Sequence, residues 1–371
     1  MTAWAETDGR RSGLVSRTSV GTLPSYRRLL QVTLGLLWLL DAALQFQPYM
    51  FTPAFVSRTL GSTAAGNPGV VAQPITWASN ILVHHIAVYD VFLATVQLAL
   101  ALGLFWRPTV KAALLASIGW SVGVWWLGEG LGGVLTGGTS VSMGAPGAAI
   151  LYAFAALLLW PRDEDSAPTA SLALRGPLGR FLPRVLWLAL WGSFAYFLLQ
   201  PGDRTPNALS AMASGMSNGE PGWLRSIDQV MASALANRGT EVSIAAAGLC
   251  IVAAVSPFLV RLHRLGVIAA VLFGAAVWLM EDFGGIFTGQ GTDPNSGILI
   301  VLLAATFWPL HRSEPSAVAR PGRVRLASAW DARTDGRLMP GTPQPASLPL
   351  AHPRADPSRI GRRQVRSAQP G

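Results

Sequence analysis

One cysteine, one lysine and five histidines are all that 371 residues contain of the side chains on which most thiol, imine and metal chemistry depends. A lone Cys250 excludes a disulfide framework, a CxxC redox pair and a thiolate zinc site within the chain. Lys111 stands outside any Walker loop, no HExxH occurs, and GLGGVLTGG (130–138) opens no strand–helix unit of the kind a dinucleotide fingerprint needs. His84 and His85 are adjacent, so on a helix they point about 100° apart and do not close on one metal or haem. They read as loop or interface histidines. No serine has a histidine placed to activate it. The sequence therefore offers no catalytic constellation, no metal-ligand set and no cofactor fingerprint. Charge is also scarce: 13% of residues are charged, against about 25% in soluble globular chains.

Apolar residues make up 51% of the chain, and 14 are tryptophan. Eight apolar segments stand out, at 29–47, 86–106, 109–127, 144–160, 183–199, 242–260, 265–280 and 295–310. Several fall short of the roughly 20 residues a spanning helix needs, and Trp106, Trp160 and Trp308 sit at segment ends, where interfacial aromatics belong. The cations alternate between the intervening loops. If the segments are spans, 24 cations fall on one side and 4 on the other. The positive-inside rule then places both termini in the cytoplasm, in a multi-pass protein of the bacterial cytoplasmic membrane. The bias to Arg, Ala and Gly fits a high-GC bacterial genome. The N-terminus does not read as a cleaved leader, because its long apolar run has an interior counterpart. The tail 311–371 holds nine prolines and eleven arginines against four acids. It reads as disordered and attracted to anionic lipid headgroups. Trp330 is its only aromatic, which argues against nucleic acid as a partner.

The chain repeats itself. WLGEGLGGVLTG (126–137) aligns without gaps to WLMEDFGGIFTG (278–289), with seven of twelve residues shared. Trp38 and Trp191 each lie ten residues before a Gln-Pro proline, Pro48 and Pro201. Pro146 and Pro294 each precede an Ile-Leu pair and a closing Trp-Pro. This predicts an all-α polytopic membrane protein, with eight transmembrane helices in two parallel-related four-helix units. The boundaries are a cytoplasmic N-terminal segment 1–28, a first repeat 29–161, a cytoplasmic connector 162–182, a second repeat 183–310 and the tail 311–371. Each unit has a long outer loop, 48–85 and 200–241, read as lying partly on the membrane surface.

The polar residues in or beside the spans cluster toward their outer ends. Asp41 and Gln45 share a helical face, as do Asp90 and Gln97. An aspartate at mid-span costs about 2.5–3.5 kcal/mol, and such residues usually face a bundle interior or a wet cavity. Together Glu129, Glu281, Asp282, Asp41, Asp90 and Gln45 make a candidate outward-facing polar vestibule, with Asp293 adding acid to the second mouth. The repeat-motif residues Gly132, Gly133, Thr136 and Gly137, and Gly284, Gly285, Thr288 and Gly289, read as the turn back into the bilayer. Two readings of the paired glutamates stay open. Each accepts backbone N–H groups freed by its own turn, or both face one cavity that takes a cation, a proton or a headgroup.

Each half resembles the DoxX-like four-span membrane proteins, in the apolar first helix running into a proline-containing outer segment, GLLWLLDAALQFQPYMF (35–51). The chain departs from that family in being doubled and in carrying the glutamate–diglycine motif. The resemblance implies a non-catalytic subunit or accessory of a respiratory or envelope complex, with a membrane-protein partner or a quinone. The alternatives are a small-solute or proton-coupled transporter and, third, a quinone-linked enzyme.

Overall fold

The computed structural model describes residues 22–141, 144–161, 171–175, 178–216 and 220–309. The segment before residue 22, much of the connector and the tail, with the disorder and headgroup attraction expected of it, lie outside the described residues. Helix α1 (Thr22–Leu44) leads through short 3-10 and π-helical turns to α2 (Gly69–Leu82), α3 (Ile86–Phe105), α4 (Val110–Leu127) and α5 (Ala148–Leu158). Then follow α6 (Leu182–Leu198), the single turn α7 (Pro201–Arg204), α8 (Ala208–Met216), α9 (Gly222–Leu235), α10 (Gly239–Val255), α11 (His263–Met280) and α12 (Asn295–Thr306). The stretches 48–85 and 200–241, read from sequence as surface loops, are largely helical, with Trp77 of α2 and Trp223 of α9 exposed.

The long helices are apolar on all sides, a pattern that suits a membrane or a deep core. Their exposed apolar faces favour the membrane. In α3, Phe92 and Leu102 point outward while Ala94 and Ala101 pack inward; in α10, Ile244 and Ile251 are exposed while Ser243, Ala247 and Cys250 are buried. Large apolar side chains outside and small residues inside let backbones approach closely while facing lipid. The stretches Ile86–Phe105, Arg107–Leu127, Gly239–Phe258 and His263–Met280 are long and apolar enough to cross a membrane.

The central pair is different. Helices α5 and α12 have 11 and 12 residues, so each rises only about 16–18 Å, well short of the ~30 Å hydrocarbon core. They pack against each other, and most of their residues are buried. The expected segment 144–160 begins its helix only at Ala148, because the chain is still turning through Gly144 and Gly147, both at positive φ. Around this pair, α1 packs on α3, α3 on α4 and α4 on α5, while α6 packs on α10, α10 on α11 and α11 on α12. One apolar core runs through both sets, with Trp38 against Tyr152 and Trp187 against Phe307, each pair of rings 4.2 Å apart.

Polar side chains close several helix ends. Arg28 donates to the Leu104 carbonyl (2.7 Å) and the Phe105 carbonyl (2.5 Å), meeting the free carbonyls and negative dipole at the end of α3. Gln31 donates to the Leu159 carbonyl (2.9 Å), just beyond the end of α5. His263 Nε2 lies 2.7 Å from the Phe307 carbonyl, just beyond α12.

Candidate functional site

The two glutamate–diglycine segments fold into the same local shape. Gly130, Leu131, Gly132 and Gly133 all have positive φ, and so do Asp282, Phe283, Gly284 and Gly285. Each segment is a left-handed turn inserted between two right-handed helices. Left-handed geometry costs about 1–2 kcal/mol at each non-glycine residue, so Leu131, Asp282 and Phe283 are held there by their surroundings. The turn folds the chain back until each preceding helix meets the start of the next. The Trp125 indole donates to the Pro146 carbonyl (2.7 Å) and the Trp278 indole to the Pro294 carbonyl (2.9 Å). The sequence alignment pairs Trp126 with Trp278, yet Trp125 makes the matching bond. In the first segment Glu129 N–H reaches back five residues to Val124, whereas Glu281 N–H reaches back four to Val277, and the wider turn absorbs one residue.

Each glutamate then receives the start of the following helix. Glu129 Oε1 accepts the Ala149 N–H (2.9 Å). Glu281 Oε1 accepts the Ser296 hydroxyl (2.8 Å). A carboxylate at a helix N-terminus satisfies free N–H groups and the positive dipole end.

The first glutamate also faces a cavity. A space of about 410 Å³ opens among α1–α5 and the segment before α12. Asp41 and Gln45 of α1, Gln97 of α3, Glu129, Tyr152 of α5 and Asp293 all line it. Its walls include Trp38, Phe55, Phe92 and Trp120, with Gly119 and Gly123 leaving one side of α4 open. Among the described residues, no Arg, Lys or His lines it. Asp41, Gln45 and Gln97 are 2%, 5% and 7% exposed. Among the described residues Asp41 Oδ1, Gln45 Oε1, Gln97 Oε1, Glu129 Oε2 and the Trp120 indole N–H have no hydrogen-bond partner, while the Tyr152 hydroxyl faces Asp41. Asp293 is held by Thr292 Oγ1 (2.9 Å) and the Asn295 N–H (2.7 Å). Burial, with Asp293 nearby, pushes the Glu129 carboxyl up to about 8, against an opposing pull from the Ala148 and Ala149 N–H groups.

The other expected vestibule residues lie elsewhere. Glu281 and Asp282 do not line this cavity, and neither does Asp90, which is buried on α3 with both oxygens unpartnered. Asp282 meets Glu220 and Asp228, one oxygen from each lying within 4.8 Å of the others. The sequence reading missed Glu220 and Asp228 because it weighed acids in or beside spans, and both sit in what it took for a loop. It passed over Tyr152 and Trp120 because nothing local separates a cavity aromatic from a core one. The repeat-motif threonines stay in their turns, Thr136 and Thr288 each donating to the carbonyl three residues back, Gly133 (2.9 Å) and Gly285 (2.7 Å).

No protein-family model, no characterised protein and no solved structure matches the chain.

Proposed function

We propose that the chain is an eight-span membrane protein of two duplicated four-helix units, related about an axis along the membrane normal, whose first unit binds a small amphiphilic organic cation and exchanges it for a proton. The observation that carries this reading is the cavity itself. Three carboxylates, Asp41, Glu129 and Asp293, converge on a space walled by aromatic rings, with no basic side chain among the described residues that line it. Pockets of this size, mostly apolar with a few convergent polar groups, are what small-molecule sites look like. Acidic oxygens and ring faces both attract a cation with an apolar body.

The matching left-handed turns and the matching order of helix packing support the duplication. So does a reciprocal crossing of the halves: Gln47, after α1, donates to the Gly291 carbonyl (2.8 Å), and Asp203, after α6, accepts the Val141 N–H (2.8 Å). In this reading the two turns open outward, both termini are cytoplasmic, and the protein is a carrier. The non-catalytic DoxX-like accessory, with a quinone in the same aromatic cavity, is the competing reading.

The test is isothermal titration of the purified full chain with benzyltrimethylammonium and, separately, with the neutral duroquinone. The cation is expected to bind and the quinone not. Gly123→Leu should abolish binding while leaving the fold intact, since a side chain there enters open space. With Glu129 raised to about 8 and facing Asp293, a bound proton competes with the cation, so affinity should increase as pH rises through that value. Equal or tighter binding of the quinone, or cation binding that survives Gly123→Leu, would sink the proposal.

A further inference from the structure

The second unit carries a carboxylate cluster that the cavity does not use. Glu220 precedes α9, Asp228 lies within α9, and Asp282 stands in the left-handed turn after α11. They are 5%, 0% and 2% exposed. Helix α9 turns Leu224 and Asp228, one helical turn apart, to its buried face, so the aspartate is carried inward together with an apolar anchor.

Acidic residues gather for many reasons, and proximity alone assigns nothing. The state of the oxygens is the independent observation. Among the described residues no N–H or hydroxyl donates to either oxygen of Glu220, either of Asp228 or Oδ1 of Asp282, and these buried carboxyl groups face one another. Arg225 reaches the Glu220 main-chain carbonyl (3.1 Å). Buried charges are found paired or bound to metal, because an isolated one loses its hydration without compensation. Glu281, next in sequence, is turned away onto Ser296.

We propose that Glu220, Asp228 and Asp282 bind a hard divalent cation of the calcium class, which pins α9 to the turn between α11 and α12. The donor set is oxygen only, which suits Ca²⁺ rather than zinc or copper. Oxygens on opposite sides of a Ca²⁺ ion sit about 4.6–5.2 Å apart, so a set confined within 4.8 Å can share one ion. Three carboxylates offer up to six oxygens, and Ca²⁺ accepts both one- and two-oxygen contacts from a carboxylate. The ion would also steady the segment that runs from Asp282 to Asp293, the residue delivered to the first unit's cavity. The cation site stands whether or not that cavity takes an organic cation.

The experiment uses the full chain in detergent, stripped with a chelator. Tb³⁺ is titrated with excitation through tryptophan, Trp223 being three residues from Glu220, and Ca²⁺ is then added in competition. Melting curves are recorded with and without Ca²⁺. The expected result is Tb³⁺ emission displaced by Ca²⁺, and a melting temperature raised by Ca²⁺. In Glu220→Gln and in Asp228→Asn, affinity should fall by about tenfold or more, since ligand charge count sets the affinity of such sites. Gly123→Leu should keep the full Tb³⁺ signal, which separates this site from the cavity. Wild-type protein with neither Tb³⁺ emission nor a Ca²⁺-dependent melt would overturn the proposal and leave the cluster to shared protons. Unchanged Tb³⁺ affinity in both variants would overturn it by placing the ion elsewhere. The wild-type melts decide even if a variant fails to fold.

Discussion

Gly132 and Gly284 occupy equivalent places in the two left-handed turns, and each faces a backbone carbonyl at short range. A Cβ on Gly132 would press on the Pro146 carbonyl, and one on Gly284 on the Asp293 carbonyl and Pro294. Gly132→Ala and Gly284→Ala should each destabilise the protein by about 2 kcal/mol or more, combining left-handed strain with a clash against main chain. Gly138→Ala, with open space around its Cβ and no positive φ, should stay within about 0.5 kcal/mol of wild type in the same denaturation series. Leu131 provides the converse test. It holds φ 58° without being glycine, so Leu131→Gly should raise the melting temperature by relieving about 1 kcal/mol of strain. Equal loss from all three alanine variants would mean that the turns are not the strained points.

Among the helices, several ends depend on a side chain sent from another element. Arg28 of α1 closes α3 with two charge-assisted bonds to consecutive carbonyls, and hydrogen bonds to charged groups contribute about 1.5–3 kcal/mol each. Arg28→Ala should therefore lower stability by about 3 kcal/mol or more, and Arg28→Lys should restore less than half, since an ammonium lacks the planar fork that bridges both oxygens. Thermal melts of the two variants check this, and a lysine variant indistinguishable from wild type would contradict it. The glutamates act in the same way at the starts of α5 and α12. In the first unit, though, one oxygen of the capping residue also faces the cavity, so that cap and the proposed binding function share a carboxylate.

For the whole molecule, burying carboxylates has a thermodynamic signature opposite to ordinary acid denaturation. Glu129 releases its proton near 4.5 in its ordinary state and near about 8 in the folded protein, where burial and Asp293 oppose its charge. Between those values the folded state holds more protons than the unfolded chain, so stability falls as pH rises and levels off above about 8. Melting temperature should decline from pH 5 to pH 8, and Glu129→Gln should flatten part of that decline. A wild-type profile that rises across this window would count against a neutral Glu129 at its lower end. At the same scale, α5 and α12 are the short central pair, mostly buried and packed against α4, α11 and each other.

Apolar character is written locally, residue by residue, and so is the spacing of a repeated motif. Helical class, the four helices long and apolar enough to cross a membrane and the twinned Trp–Glu–Gly–Gly segments could therefore be read from the chain before folding was considered. Even the glutamates' role as acceptors for the next helix could be posed from the turn alone. Neighbourhood across the fold could not. Glu129 shares its cavity with Asp41, Gln97 and Asp293 and not with its sequence twin Glu281, while Asp282 turns to Glu220 and Asp228 in a stretch that looked like loop. These groupings join residues from separate helices, so only the packing of α1–α5 and the docking of α9 bring them together. Hydropathy records how willingly a residue leaves water and says nothing of which buried polar group it will meet there.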